Sequence, residues 1–217
     1  MMSDYRELLL GCGHSRVKRI PTVEGGREWH NLVTLDLNPD TKPDVLTNLD
    51  TLNSWVIENM SMDEIHECLD PIGFVCGTDL VKTIWSHIKD DYFDEVHAYE
   101  VLEHLGQQGD FKSFFSHFSE IWRILKPGGL LCATCPSRFS EGLWGDPGHR
   151  RVITGMSLIF LDQEQYNRQC DRSNPTPMSD YRSVYKSDFM IVDAYDDRRT
   201  FSFKLRAVKP SRISASK

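Results

Sequence analysis

Short apolar runs that end in turn residues alternate along this chain with segments of helical spacing. Such alternation is typical of an α/β fold with a mostly parallel sheet. The predicted strands cover 7–10, 32–35, 73–76, 95–99, 129–134, 189–194 and 200–208, and the predicted helices cover 63–69, 78–88, 110–125 and 163–170.

The last two predicted strands are separated by five residues, 195–199, which is short enough for a hairpin. We therefore predict a Rossmann-like, mostly parallel sheet with helices on both faces and a C-terminal antiparallel hairpin. The segment 126–129, Lys-Pro-Gly-Gly, is expected to end the preceding helix and turn the chain into the next strand.

The helix predicted over 110–125 carries an aromatic stripe that we interpret as core packed on the sheet. Its apolar positions are Phe114, Phe115, Phe118, Ile121, Trp122 and Leu125. Cys132 and Cys135 have the spacing of half a zinc site, but no second pair exists, and side chains three apart in a strand point to opposite faces. We interpret both as core residues.

The chain has 217 residues, of which 40% are hydrophobic and 26% charged, as in ordinary globular proteins. We predict one domain over 1–210, with an insertion at about 51–92 and a basic C-terminal tail over 211–217. No apolar run approaches the ~20 residues of a membrane span, and no secretory leader is visible. The six scattered cysteines are typical of free thiols, so we expect a cytoplasmic protein.

The net charge of −7 argues against broad, non-specific binding to nucleic acid. The charge is uneven, however, because seven lysines and arginines and no acid follow Asp197. This segment is either a solvated edge strand with a tail, or a basic rim that faces an anionic substrate or partner. The sequence leaves open whether the chain forms a homodimer.

A glycine turn follows the first strand, and an acid ends the second. Gly11 and Gly13 allow the backbone to turn sharply and allow a ligand to lie against the main chain, while Cys12 between them needs to be no more than a small residue. Asp36 could bind both hydroxyls of a ribose, although a lone aspartate at a strand end is often a helix cap.

Four segments, 8–13, 35–39, 93–105 and 121–129, resemble in their order and spacing the class I S-adenosylmethionine-dependent methyltransferases. The resemblance covers roughly residues 6–137. Its specific part is Glu-Val-Leu-Glu-His from residue 100, followed at helix length by Leu-Lys-Pro-Gly-Gly. It implies S-adenosylmethionine as cofactor and methyl transfer to a small-molecule or polymer-end nucleophile.

The resemblance also implies which residues hold the cofactor. The glycine turn would hold its methionine and ribose part, and Asp36 with Leu37 its ribose end. Asp50 would bind the adenine amino group, or is alternatively an ordinary turn aspartate. The reactive methyl group would lie near Tyr99 and Glu100. The predicted cofactor residues are thus Gly11, Cys12, Gly13, Asp36, Leu37, Asp50, Tyr99 and Glu100. The chain departs from the family pattern at Leu9 and Leu10, where an acid is usual, and at the third glycine of the turn.

Glu100 and His149 are the predicted catalytic residues, acting as bases if the acceptor is protonated. Methyltransferases that depend on a metal and act on small-RNA 3′ ends have a similar Glu-x-x-Glu-His motif with a distant histidine. The corresponding residues are Glu100, Glu103, His104 and His149. Alternatively, Glu103 and His104 satisfy backbone groups at a helix end and in a loop.

Three other functions therefore stand beside the leading one. They are a metal-assisted RNA 2′-O-methyltransferase, a non-catalytic cofactor-binding or assembly protein with the same fold, and a nicotinamide-dependent oxidoreductase. The Leu-Lys-Pro-Gly-Gly segment and the terminal hairpin argue against the last of these.

The loop 137–154 is the predicted cover of the site, because it follows the strand beside the methyl group. Trp144 would supply apolar cover, Gly142, Gly145 and Gly148 hinge freedom, and His149, Arg150 and Arg151 polar contacts. The alternative is an ordinary surface loop with Trp144 packed on the domain.

Overall fold

The computed structural model describes residues 4–46, 49, 88–171 and 173–213. Its strands are β1 (Glu7–Leu10), β2 (Leu32–Asp36), β3 (Val45–Leu46), β4 (Phe93–Tyr99), β5 (Leu125–Pro136), β6 (Phe189–Asp196) and β7 (Thr200–Ala207). Its helices are α1 (Phe111–Ile124), α2 (Glu141–Gly145), α3 (Gly155–Ile159) and α4 (Gln163–Gln169), with 3₁₀ helices over Pro39–Thr41 and Leu102–His104.

The strands form one sheet in the order β3-β2-β1-β4-β5-β7-β6. The pairs from β3 to β5 are parallel, and β7 is antiparallel to both of its neighbours. The predicted fold class is therefore confirmed. Leu10 pairs with both Leu35 and Ala98, so the carboxyl ends of β1, β2 and β4 lie at one edge of the sheet. Because Pro136 pairs with Thr200, the turn of the β6–β7 hairpin lies at this same edge.

The core lies between the sheet and α1, as the aromatic stripe predicts. Asp110 caps the helix by accepting the Ser113 N–H, and one face of α1 is buried against the apolar face of β1 and β4. The buried residues of that face include Phe114, Phe115, Phe118, Ile121 and Ile124. Each such aromatic side chain stabilises the fold by about 1.5–3 kcal/mol.

Two local features differ from the sequence prediction. β5 begins at Leu125 and contains the segment 126–129 as a bulge, because Phe93 pairs with Leu125 whereas Glu95 pairs with Leu130. Gly128 has φ +81° there, which only glycine adopts readily. The two-residue β3 is too short to give a periodic pattern. The strand predicted at 73–76, the helix at 63–69 and nearly all of the helix at 78–88 lie outside the described residues.

Residues 11–31 connect β1 to β2 without forming a helix. The segment contains Pro21 and the pair Gly25-Gly26 among several β-branched residues, all of which disfavour a helix. It packs instead on the polar face of β1 and β4, where the buried Lys18 ammonium bonds the Glu7 carboxylate and lies 3.0 Å from Glu95 Oε2. A buried salt bridge therefore ties this connection to the sheet.

Most of the basic C-terminal segment is paired within the domain. The Arg206 guanidinium donates to the Gly128 carbonyl, Lys209 bonds Asp91, and Arg212 bonds Asp188 and Asp162. The four described cysteines, Cys12, Cys132, Cys135 and Cys170, are buried free thiols, and the first three contribute to the core. None of the helices in the described residues has both the length and the apolar character needed to cross a bilayer.

Candidate functional site

The two glycines of the turn differ in what surrounds them. Gly11 and Gly13 both have left-handed backbone angles, with φ +56° and +53°. A Cβ at Gly11 would lie 2.5 Å from Cγ2 of Val101, whereas a Cβ at Gly13 would meet no atom of the described residues within 4 Å. Gly11 is thus required by the packing of the protein itself. Gly13 borders open space, where a cofactor could lie against the main chain.

The Asp36 carboxylate holds this turn in place at the end of β2. It accepts the Gly13 N–H at 2.7 Å through Oδ2 and the Asn38 N–H at 2.8 Å through Oδ1. The 3₁₀ helix that follows is capped by Asn38, so Asp36 is not a helix cap. Each carboxylate oxygen can accept further hydrogen bonds, as binding of ribose hydroxyls requires.

The other residues predicted to bind the ribose and adenine are placed as follows. Leu37 is 60% exposed beside Asp36, as a side chain that packs on a base would be. The Cys12 side chain is buried in a small cluster with Leu9 and Tyr99 and bonds Thr41 weakly, so Cys12 could contact a ligand only through its main chain. Asp50 lies outside the described residues.

The Tyr99 side chain belongs to a buried polar network on the side of the sheet that residues 11–31 cover. His97 Nε2 donates to Glu95 at 2.8 Å, which leaves Nδ1 to accept the Tyr99 hydroxyl at 2.6 Å. The hydroxyl itself accepts the Ile20 N–H at 3.2 Å. Burial raises the pKa of Tyr99 above its ordinary value. The hydroxyl is therefore neutral and occupied within the protein.

Glu100 follows β4 with a strained backbone. Its φ of +56° is uncommon for a residue other than glycine, and its N–H donates to the Thr134 carbonyl at 2.9 Å. This conformation ends β4 sharply and begins the turn into the 3₁₀ helix Leu102–His104. Glu100 is half-buried at the edge of the sheet where the carboxyl ends of β1, β2 and β4 lie.

Three of the four candidate metal or catalytic residues converge beyond this turn. One ligand atom each from Glu103, His104 and His149 lies within 4.8 Å of the others. His104 Nδ1 donates to the Gly148 carbonyl at 2.9 Å, and His149 Nδ1 donates to the Leu143 carbonyl at 3.1 Å. Both imidazoles therefore present Nε2 as an unprotonated acceptor when neutral. Glu100 is not among these three converging groups.

Glu103 is the most unusual residue of this cluster. It is fully buried, and neither carboxylate oxygen makes a hydrogen bond of standard geometry to any of the described residues. His149 Nε2 lies 4.0 Å from its Oε1 and 3.7 Å from Asp146 Oδ2. Burial raises the pKa of Glu103 to about 7 and the charge of Glu100 adds to this shift, whereas the proximity of its own backbone N–H, the nearby His149 and the Cys135 thiol oppose it. Of the two residues that could satisfy backbone groups, His104 binds a loop carbonyl, and the Glu103 carboxylate interacts with the backbone of its own residue.

The loop 137–154 frames the cluster and contains the short helix α2. Trp144 on this helix is 69% exposed, so it is not packed on the body of the domain. The Arg150 and Arg151 N–H groups both donate to the Glu103 carbonyl. The buried Arg151 side chain donates to three carbonyls of the segment 105–110, so it holds the protein's own chain.

Sequence reasoning missed the buried polar network of Glu7, Lys18, Glu95, His97 and Tyr99. Its signal was present in β4, where Glu95 and His97 occupy alternate positions of an otherwise apolar strand. These carboxylates and the imidazole also form a group of metal-ligand type, but the Lys18 ammonium already lies between the two carboxylates and bonds to them. No sequence pattern indicates that the Glu103 carboxylate is buried without a standard hydrogen bond among the described residues, because this depends on how the loop 137–154 packs on it.

Comparisons with known proteins agree with this architecture. A family model described as a methyltransferase domain matches residues 78–133, which include β4, Glu100, Glu103, His104 and α1. No curated protein matches the chain.

Several solved structures align with the chain at low sequence identity. A SAM-dependent methyltransferase from Archaeoglobus fulgidus is 14% identical, with a TM-score of 0.45 over 93% of this chain and 86% of that one. An S-adenosylmethionine-dependent methyltransferase from Mesorhizobium loti is 14% identical, with a TM-score of 0.47 over 93% of this chain and 90% of that one. The N-methyltransferase NodS from Bradyrhizobium japonicum WM9, in complex with S-adenosyl-L-homocysteine, is 14% identical, with a TM-score of 0.46 over 94% of this chain and 78% of that one.

The family match covers the segment in which the predicted Glu-Val-Leu-Glu-His motif is found, and the sheet has the parallel order and terminal antiparallel hairpin that the resemblance implies. The recognition, the enzyme class and the cofactor predicted from the sequence are therefore confirmed. Residues 78–133 of the chain thus match the methyltransferase-domain family, within a sheet of the order that the class I S-adenosylmethionine-dependent methyltransferases have.

Proposed function

We propose that this protein transfers the methyl group of S-adenosylmethionine to an oxygen or nitrogen nucleophile of a small molecule or polymer end. The acceptor would lie against Glu103, His104 and His149. The observation that carries this proposal is the buried Glu103 carboxylate, which makes no standard hydrogen bond within the described part of the chain and lies 4.0 Å from His149 Nε2. A buried carboxyl without a hydrogen bond lowers the stability of the fold, so its presence near the carboxyl ends of the strands favours a functional role.

The residues that follow β1 and β2 have the space and the polar groups that S-adenosylmethionine requires. Gly13 leaves open space beside the main chain, Asp36 has acceptor capacity for ribose hydroxyls, and Leu37 is exposed beside it. The bound cofactor supplies a methyl group that its sulfonium has already activated. What remains for the protein is alignment of the acceptor and removal of its proton.

His149 is suited to remove that proton. Its Nδ1–H is fixed on the Leu143 carbonyl, so Nε2 can take a proton from an acceptor hydroxyl or amine. The imidazolium so formed would face the Glu103 carboxyl, whose pKa of about 7 permits the ionised form that stabilises it. Glu100 at the end of β4 is the second candidate base.

Titration calorimetry with S-adenosylhomocysteine tests the cofactor part of this proposal. We expect binding to the intact protein and no binding of NAD. Asp36→Ala removes a charged acceptor worth about 1.5–3 kcal/mol per hydrogen bond, so the affinity should fall at least tenfold. Asp40→Ala, an exposed acid of the same segment, is the matched control and should bind normally. Equal affinity of the Asp36 and Asp40 variants would contradict the assignment.

A metal-assisted transfer, such as RNA 2′-O-methylation, is the second candidate. It is favoured by the convergence of Glu103, His104 and His149 and by the unpartnered Glu103 oxygens. The carbonyl partners of both Nδ1 atoms are the outer contacts that metal-binding histidines usually make. Two imidazoles and a carboxylate suit Mn²⁺, Fe²⁺ or Co²⁺ better than Mg²⁺. A bound ion would orient the acceptor oxygen and lower its pKa.

Calorimetric titration with Mn²⁺ separates the two candidates. If the ion is used, the intact protein should take up one equivalent, and His104→Ala or Glu103→Gln should abolish it. His14→Ala removes an exposed imidazole outside the cluster and should change nothing. Absence of uptake by the intact protein would leave proton transfer to His149 as the proposed chemistry.

A further inference from the structure

The surface beside the cluster combines exposed aromatic rings with arginines. Phe139 and Trp144 are 50% and 69% exposed, although large aromatic side chains are usually buried. The guanidinium carbons of Arg138 and Arg198 each lie 4.6 Å from the centre of the Phe139 ring. We refer to Arg138, Phe139, Trp144 and Arg198 as the arginine–aromatic rim.

The rim lies next to the proposed acceptor site, because its residues are adjacent in the chain or hydrogen-bonded to residues that contact the cluster. Trp144 follows Leu143, whose carbonyl orients His149, and the Trp144 indole N–H donates to the Arg138 carbonyl at 3.1 Å. Arg198 lies in the turn of the β6–β7 hairpin, which the Ser137 N–H joins by donating to the Arg199 carbonyl at 2.9 Å. The rim and the cluster therefore occupy the same edge of the sheet.

The cations of the rim differ from the rest of the basic C-terminal segment. Arg206, Lys209 and Arg212 are paired with acids of the domain, whereas Arg138 and Arg198 are exposed and rest on an aromatic ring. Several acids lie near the rim in sequence. Asp196 accepts the Arg198 N–H at 2.8 Å and Asp146 accepts the Gly148 N–H at 2.7 Å, whereas Glu141 is an exposed residue at the start of α2.

Exposed aromatic faces beside exposed guanidinium groups match the chemistry of single-stranded nucleic acid. Unpaired bases stack on aromatic side chains, and phosphates bind arginines. We propose that the arginine–aromatic rim binds a single-stranded nucleic acid and directs its end to the cluster as the methyl acceptor. This inference rests on the proposed function and names its substrate class. Because the rim is small and the net charge is −7, the binding is local rather than broad.

Fluorescence anisotropy tests the rim with a short fluorescein-labelled single-stranded oligoadenylate, in the presence of saturating S-adenosylhomocysteine. The intact protein should bind the strand and prefer it to the corresponding duplex. Trp144→Ala should weaken binding about fivefold or more, the usual effect of removing one stacking ring. Trp144→Phe should restore most of the affinity.

The salt dependence tests the arginines separately. Arg138→Ala and Arg198→Ala should each reduce the slope of log Kd against log salt by about 0.7, the value for one phosphate contact on a single strand. Arg168→Ala is the matched control, because this exposed arginine lies on α4, which packs near the start of β6 at the opposite edge of the sheet.

Two outcomes would overturn the inference. They are no binding of the strand by the intact protein, and binding of the strand that none of the rim variants weakens. Calorimetry with S-adenosylhomocysteine on the same samples separates this failure from failure of the proposed function. Intact cofactor binding without strand binding rejects only the rim, whereas loss of cofactor binding in the unaltered protein rejects the function.

Discussion

The methyl carbon that an alanine would place at Gly11 lies 2.5 Å from Cγ2 of Val101, the residue that follows the strained Glu100. Gly11, the first residue of the glycine turn, is therefore packed against the start of the segment that carries Glu103 and His104. This contact connects the end of β1 to the end of β4, so a side chain at Gly11 would displace both the glycine turn and the proposed acceptor cluster.

Gly11→Ala should destabilise the fold more than Gly13→Ala does. Both substitutions place a Cβ on a left-handed backbone, at about 1–2 kcal/mol each, but only the one at Gly11 meets Val101. Thermal denaturation should show the larger loss in Gly11→Ala. Gly13→Ala should stay folded and lose affinity for S-adenosylhomocysteine in calorimetry. If the two variants are equally stable, the contact with Val101 is not limiting.

Glu103→Gln should stabilise the protein at alkaline pH. Burial raises the pKa of Glu103 to about 7 in the folded state, so the neutral carboxyl favours the fold. This stabilisation is complete below the unfolded pKa and is lost as the pH rises to about 7. The variant cannot ionise, so it should exceed the parent protein by up to about 3 kcal/mol at pH 8 and match it near pH 4.

Urea unfolding across this pH range measures the effect. Glu28→Gln, at an exposed glutamate remote from the cluster, is the control and should show no such trend. The groups that face Glu103 are Glu100, His149 and the Cys135 thiol, with His104 beside them. A stability difference that does not change with pH would mean that Glu103 keeps an ordinary pKa.

Lys18→Met should destabilise the fold by about 3–5 kcal/mol, because it leaves the buried carboxylates of Glu7 and Glu95 without their cation. Burial alone would raise the pKa of Glu95, but bonds from His97, Thr22 and Lys18 lower it below the usual range. The lowered pKa contributes stability that is present above the unfolded pKa and is lost as the pH falls. The deficit of the variant should therefore shrink in acid.

Denaturant unfolding at neutral pH and at about pH 4 measures this deficit. Lys42→Met, at an exposed lysine, serves as the control for loss of a cation at the surface, where an ion pair is worth about 0–1 kcal/mol. A loss for Lys18→Met no larger than that of the control would show that residues 11–31 are held by apolar packing alone.

His149→Ala should leave the affinity for S-adenosylhomocysteine unchanged, because His149 contacts Glu103 and the Leu143 carbonyl and not the glycine turn. Turnover on the acceptor should fall by about 10²–10⁴-fold, the usual contribution of a positioned base. Calorimetry and single-turnover transfer measure the two effects. Equal loss of binding and turnover would assign His149 a structural role.

Several strands could be predicted closely because they are short apolar runs, as in β1, or alternate buried and half-buried positions, as in β7. Glu7–Leu10 was predicted to the residue, and the hairpin strands at Phe189 and Thr200 were predicted from their first residue. The aromatic spacing likewise placed α1 within one residue at each end. These elements are set by local pattern and burial, which the sequence displays directly.

The chemistry of the site was less accessible, because it depends on where loops fold. The motif placed Glu103 and His104 near His149, but the sequence did not show that Glu103 would be buried without a partner. Nor did it show that Tyr99 would direct its hydroxyl into a network with His97. Both depend on tertiary contacts between segments more than forty residues apart, or on the irregular segment 11–31.

The carbonyls of Leu143 and Gly148, which fix the two imidazoles, belong to the same loop as Trp144 and Phe139. In the proposed function, acid–base chemistry and acceptor choice would both depend on this one short stretch of chain. An exchange of this loop to accept a new substrate would then also change the bonds that orient both imidazoles and the groups that face Glu103. We therefore expect side-chain substitution at the outer face of the loop to alter specificity with less loss of turnover than grafting of the loop as a unit.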